Sequence, residues 1–185
     1  MITQIFNQEC FKIISLFALA PGIKLNRNEI KEKTYMNNVL LDKALVKILS
    51  ANILKKEKRL YSINFENDNS KKLTDICSKQ YINLKELPLK IYFLITDFIT
   101  QLSILKEIEV YLFGSYSKLI FNQKSDVDIA ILGKINNKKV TNLVSKLEKK
   151  YAIKLEIHFF DKKEFYKNKQ DPLIKDIIKN GERLI

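Results

Sequence analysis

Arginine is almost missing from a chain that is otherwise strongly basic. Of 33 lysines and arginines only Arg27, Arg59 and Arg183 are arginine, against 21 acidic residues and a net charge of +12. An excess of that size favours polyanionic partners, although a lysine-rich solvated surface has the same composition. Lysine neutralises phosphate as a point charge, where arginine would read guanine with a planar fork. Cysteine is equally sparse: Cys10 and Cys77 stand far apart, without metal-ligand spacing and away from the single histidine. That suits two buried thiols of a reducing compartment better than a disulfide or a zinc site. No apolar run is long and uncharged enough to span a bilayer. The longest, Leu87 to Leu105, carries Lys90 and Asp97 at helical spacing and reads as an amphipathic buried helix. A basic start followed by an apolar segment and a cleavage site is also lacking, so the expected location is cytoplasmic. There is no repeat or low-complexity tract, and the 4 glycines (22, 114, 133 and 181) are few enough that each is expected to mark a turn. What is present is 46% apolar residues over 185 positions, enough for the core of one ordinary domain or two small ones.

The N-terminal third reads as helices followed by a hairpin. Apolar residues at 5, 6, 10, 11, 13, 14, 16, 17 and 18 suit a helix packed on two sides and ended by Pro21-Gly22. Asn26 with Glu29 three residues on is a capping-box pattern opening a second helix. In the third, Leu41, Leu45, Ile48 and Leu49 share a face opposite Asp42, Lys43 and Lys47, and Asn52 is a natural left-handed terminator. Alternation on both sides of KKEKR then predicts a small hairpin with a basic tip. Three helices and a hairpin resemble a winged helix-turn-helix domain over residues 1–65. That resemblance implies double-stranded DNA as a partner, with base edges met by Asn37, Asn38, Lys43 and Lys47 and phosphates by Lys55, Lys56, Lys58 and Arg59. A domain serving only dimerisation or protein contacts is the other reading, since Asp42 lies on the recognition face and arginine is absent from it.

Residues 66–106 are expected to form a helical connector. A polar break at Glu66–Ser70 precedes a modestly amphipathic helix, and Leu87-Pro88 opens a longer one with its proline in the first turn. Its apolar stripe runs through 87, 91, 94, 95, 98, 99 and 102 and suits packing on the C-terminal domain or on a second copy in a homodimer.

From Glu107 strands alternate with helices, the pattern of a small α/β unit. EIEVYLFGS and SDVDIAIL read as strands, KKVTNLVSKLEKKYA as a helix, KLEIHFF as a third strand, and two short helices follow around 162–169 and 172–180. Between the first two strands lie Gly114-Ser115 and, ten residues on, Asp126 and Asp128. Two residues apart in a strand, the aspartates face the same way and repel unless a cation lies between them, while Val127, Ile129 and Ile131 face the core. Magnesium suits such a pair because it takes one or two carboxylates and completes its shell with substrate phosphates. Gly114 lets backbone approach a phosphate, and Ser115 adds a hydroxyl and an N–H at a helix start.

Phe113, Gly114, Ser115, ten residues, then Asp126, Val127, Asp128 and Ile129 resemble the signature of the polymerase-beta-like nucleotidyltransferases, at the spacing of their minimal members. A winged helix before such a domain is similar to a largely archaeal group of fused proteins. The resemblance implies an α+β chain with an N-terminal winged helix-turn-helix, a helical connector and, over 107–185, a small nucleotidyltransferase domain with a mixed sheet. It also implies Mg2+ as cofactor, a nucleoside triphosphate such as ATP as substrate, and attack of an acceptor hydroxyl on the α-phosphate with release of pyrophosphate, assisted by two metals roughly 4 Å apart. Asp126 and Asp128 would hold the metals with a third carboxylate, for which Glu156 is the candidate. His158 shares its strand face and competes for the position. Gly114, Ser115 and Lys118 would bind the nucleotide. Relatives often carry Ala-Arg-Gly where this chain has Ser117, Lys118 and Leu119, so any phosphate contact there lacks bidentate geometry. A protein acceptor is one expectation, because minimal relatives paired with toxins adenylylate a partner's tyrosine. A DNA-binding regulator whose second domain only binds nucleotide or dimerises is the alternative, and a small-molecule nucleotidyltransferase of the antibiotic-modifying kind is a third reading.

Overall fold

The computed structural model describes residues 7–79, 82–103 and 107–185. Expected helix positions Ile5, Phe6, Gln80, Tyr81 and Leu105 lie outside the described residues. The chain forms two compact units, Met1–Lys85 and Glu86–Ile185.

In the first unit, α1 (Gln8–Leu19) is capped by Asn7, whose Oδ1 accepts from the Cys10 N–H, and it buries Cys10, Ile13, Ile14, Leu16 and Phe17. After the two-residue β1 (Leu25–Asn26) come α2 (Arg27–Thr34) and α3 (Asn38–Ser50). The expected capping box is present: Asn26 Oδ1 accepts from the Glu29 N–H, and Glu29 Oε2 accepts from the Asn26 N–H. Beyond α3, Asn52 takes a left-handed φ of 57°. The hairpin consists of β2 (Leu54–Glu57) and β3 (Leu60–Ile63), with Lys58 and Arg59 at its tip. The sheet is antiparallel in the order β1-β3-β2. Ile30, Leu41, Leu45, Ile48 and Ile53 form the core beneath it, each side chain contributing roughly 1.5–3 kcal/mol of burial. α4 (Asp68–Lys79) packs on α1, and a 3-10 turn follows at Ile82–Leu84. Cys77 on α4 is a buried thiol, pushed up to about 11 by burial.

The second unit begins with α5 (Leu89–Leu102), for which Pro88 is the N-cap residue rather than part of the first turn. The 66–106 stretch expected as one connector is therefore partitioned: α4 completes the core of the first unit, and α5 pairs with the later helix α7 (Asn137–Tyr151) of the second. The whole predicted stripe of α5 is buried, and so is Asp97. A buried carboxylate persists only with partners, and Asp97 Oδ2 accepts from Lys150 Nζ (2.7 Å) and the Tyr151 hydroxyl, both at the end of α7.

β4 (Glu109–Phe113) leads into α6 (Gly114–Ser117), a single turn, and then β5 (Val127–Leu132), α7, β6 (Leu155–Phe160), α8 (Lys162–Lys167), α9 (Pro172–Asn180) and β7 (Glu182–Arg183). The sheet order is β6-β5-β4-β7, with β5 and β6 parallel and the other pairs antiparallel, a mixed sheet. Val110, Leu112, Val127, Ile129 and Ile131 are fully buried on one face. On the other, Phe113, Ala130 and Leu132 pack under Phe165 of α8 and Ile174 and Ile177 of α9. The short strands β1 and β7 were not visible in the sequence, because two residues carry no alternation.

Candidate active site

The site lies where β4 ends. Phe113 is level with Asp128 across the antiparallel pair, so the turn at Gly114 passes directly over that carboxylate. Gly114 has φ +71°, and a Cβ there would meet Asp128 Oδ2 at 2.1 Å. Glycine is required twice over, by its left-handed backbone and by the space that Asp128 fills. Asp126 falls one residue before β5 rather than inside it, but the Val127 N–H donates to the Lys154 carbonyl (3.0 Å), so the ladder to the neighbouring chain segment starts beside it.

Strand register separates the two candidates for a third acidic position. On parallel β6, Glu156 is level with Asp128, while His158 is level with Ala130, further from Gly114. His158 Nε2 lies 3.4 Å from Glu156 Oε1, and its ring meets Phe113 edge-on at 5.3 Å. Burial, then the neighbouring Glu156 and Asp126, hold the Asp128 carboxyl above the usual range, with His158 and Lys154 opposing the shift. A carboxyl whose ionisation is opposed by burial and by like charges is one that a bound cation would relieve.

Lys154, which the sequence reading passed over, supplies a local cation. Its Nζ donates to Asp126 Oδ2 (2.5 Å) and lies 3.9 Å from Glu156 Oε2. The signal was available: Lys154, Glu156 and His158 alternate along one strand and so share a face. Among the described residues no three His, Cys, Asp or Glu side chains converge into a ready-made metal cage. The donor set still fits magnesium, which accepts hard oxygen ligands from one or two carboxylates and leaves the rest of its shell to water and phosphate.

Of the other nucleotide-binding candidates, Ser115 sits in the first turn of α6, with its carbonyl accepting from the Ile120 N–H. Lys118 turns to α9, where its Nζ donates to Asp176 (2.8 Å) and holds that carboxyl below its ordinary range. Leu119 adopts φ 58°, left-handed backbone that glycine takes more readily. Beside Asp126 opens a cleft of about 560 Å³, lined by Lys90, Tyr116, Phe121, Lys124 and Lys154 among others. Tyr116 and Phe121 stack at 4.5 Å and form its aromatic wall.

In the first unit, Asn37 caps α3 by accepting from the Leu40 N–H, and Asn38 accepts from Arg27 Nη2 (3.3 Å). Arg27 also grips Asp42 through Nε (2.7 Å) and Nη2 (2.8 Å), masking the acid on that face. Lys43 is exposed and Lys47 half-buried. Lys55 pairs with Glu57 (3.2 Å), Lys56 lies over the Tyr61 ring, and Lys58 and Arg59 project from the hairpin tip.

No helix among the described residues is long and apolar enough to cross a membrane. No curated protein and no solved structure matches the chain. Residues 95–185 match the family model described as Polymerase beta, Nucleotidyltransferase, which supports a nucleotidyltransferase domain over that stretch and nucleotidyl transfer as its general activity.

Proposed function

We propose that the second unit is a divalent-cation-dependent nucleotidyltransferase that moves a nucleoside monophosphate from a triphosphate such as ATP to a hydroxyl acceptor. The observation that carries this reading is the register that sets Glu156 level with Asp128 beneath Gly114, with Asp126 alongside. In it Asp126, Asp128 and Glu156 hold the cation, Mg2+ by preference, which when bound neutralises charge on the phosphates and activates the acceptor oxygen. Gly114 and Ser115 offer backbone N–H groups to the triphosphate at close range. Lys118, released from Asp176, neutralises phosphate. The cleft beside Asp126 receives the acceptor, and a protein hydroxyl is one that it accommodates. His158 touches Glu156 and holds no metal.

For the first unit the reading is a winged helix that binds duplex DNA. It is supported by the order of three helices before a hairpin and by the lysines on α3 and at the hairpin tip. Asn37 and Asn38 are engaged in capping and in the Arg27 contact, so Lys43 and Lys47 carry the approach to the groove, with Lys55, Lys56, Lys58 and Arg59 on phosphates.

The test uses labelled ATP, Mg2+ and host lysate. Transfer by the wild type, loss of about a hundredfold or more in Asp126→Asn and Glu156→Gln, and survival of most activity in His158→Ala support the assignment. Full activity in Glu156→Gln would overturn it. Duplex binding is checked by mobility shift, where Lys58→Gln, at a phosphate position, should lower the log–log salt slope by about 1.

A further inference from the structure

We propose that Lys154 is an internal counter-cation of the carboxylate site, competing with the divalent cation for Asp126 and moving into the neighbouring cleft when that cation binds. The inference rests on the reading of Asp126 as a metal ligand.

Three observations carry it. The Lys154 backbone is held beside the site through its carbonyl, which accepts from the Val127 N–H, so Asp126 stays within reach of its side chain. Its ammonium bridges two of the three carboxylates, touching Asp126 Oδ2 and standing 3.9 Å from Glu156 Oε2. A cation bound by Asp126 meets the repulsion of an ammonium already on that carboxylate, so the two compete for the same negative charge. The side chain is 64% exposed and borders the cleft that Lys90 and Lys124 also line, so a solvated place stands open to the displaced ammonium. There it would be the third lysine around an aromatic wall.

The plug is a weak one. Exposed lysine–carboxylate pairs contribute little, so removing the ammonium should tighten cation binding by up to about fivefold. The experiment is a Mn2+ titration of the full chain followed by the electron paramagnetic resonance of free Mn2+, with wild type, Lys154→Met, Lys124→Met and Asp126→Asn, each first checked for an unchanged melting temperature. The expected result is tighter binding in Lys154→Met, no change beyond a small surface-charge effect in Lys124→Met, and weak binding in Asp126→Asn. Equal tightening by both lysine variants would reduce the effect to net charge and overturn the proposal. So would unchanged or weaker binding in Lys154→Met. Wild-type affinity in Asp126→Asn would instead overturn the metal-ligand reading itself, along with everything built on it.

Discussion

Gly114 and Asp128 share a space that admits no extra carbon. A Gly114→Ala substitution adds a Cβ 2.1 Å from the Asp128 carboxylate and places it on a backbone at φ +71°. The expected cost is at least about 2 kcal/mol of stability, read from urea unfolding, with transfer activity lost because the carboxylate must turn aside. Leu119 presents the opposite case. It is 47% exposed, so it packs little, yet it is held at φ 58°. Leu119→Gly should raise stability by up to about 1 kcal/mol, the relief of left-handed strain outweighing the added chain entropy. At this scale the sequence was informative about residue types and silent about partners. Gly114, Asp126 and Asp128 could be picked out by spacing. Nothing in the sequence said that Gly114 makes room for a carboxylate, that Lys118 turns to Asp176, or that Asn37 and Asn38 are used within the fold.

Elements with a strong period were legible, and elements held only by tertiary pairing were not. The α5 stripe and the Val127, Ile129, Ile131 alternation were plain, whereas β7 exists because Glu182 and Arg183 find β4 already formed. That pairing serves a buried charge. Glu109 on β4 is 5% exposed and is met by Lys162 on α8, the hydroxyls of Tyr166 (2.6 Å) and Tyr111 (2.9 Å), and, at 3.9 Å, Arg183 on β7. Burial would raise its pKa, but these partners outweigh it and bring the carboxyl to about 2 from 4.5. The depressed value means that the cluster stabilises the fold above the unfolded pKa and loses that contribution as pH falls from about 4.5 to about 2. Its full size is about 3 kcal/mol. Glu109→Gln should therefore be destabilised at pH 7, and its gap from wild type in chemical denaturation should narrow steadily below pH 4.5. A gap of constant size down to pH 3 would mean that packing, rather than charge, is what the side chain contributes.

At the scale of the molecule, amphipathic helices advertise that they pack without saying on what. α4 and α5 read alike as a connector, yet each completes a different core. A fragment of residues 86–185 should accordingly fold alone, with a cooperative melt and Mn2+ binding within a fewfold of the full chain. A fragment starting at 107 should not, since it lacks α5 and its buried Asp97 contacts. The mixed sheet has a further consequence. Among the described residues β6 is hydrogen-bonded to a strand on one side only, and it carries Glu156, with Lys154 just before it, whereas Asp128 sits on β5 between two strands. Edge strands open at lower free energy than the global fold. The protein can thus be intact by any bulk measure while Glu156 is momentarily elsewhere. An ion held between Asp128 and Glu156 would staple the rim of the sheet to its middle, so that occupancy of the site is written into the solvent exchange of the β6 amides.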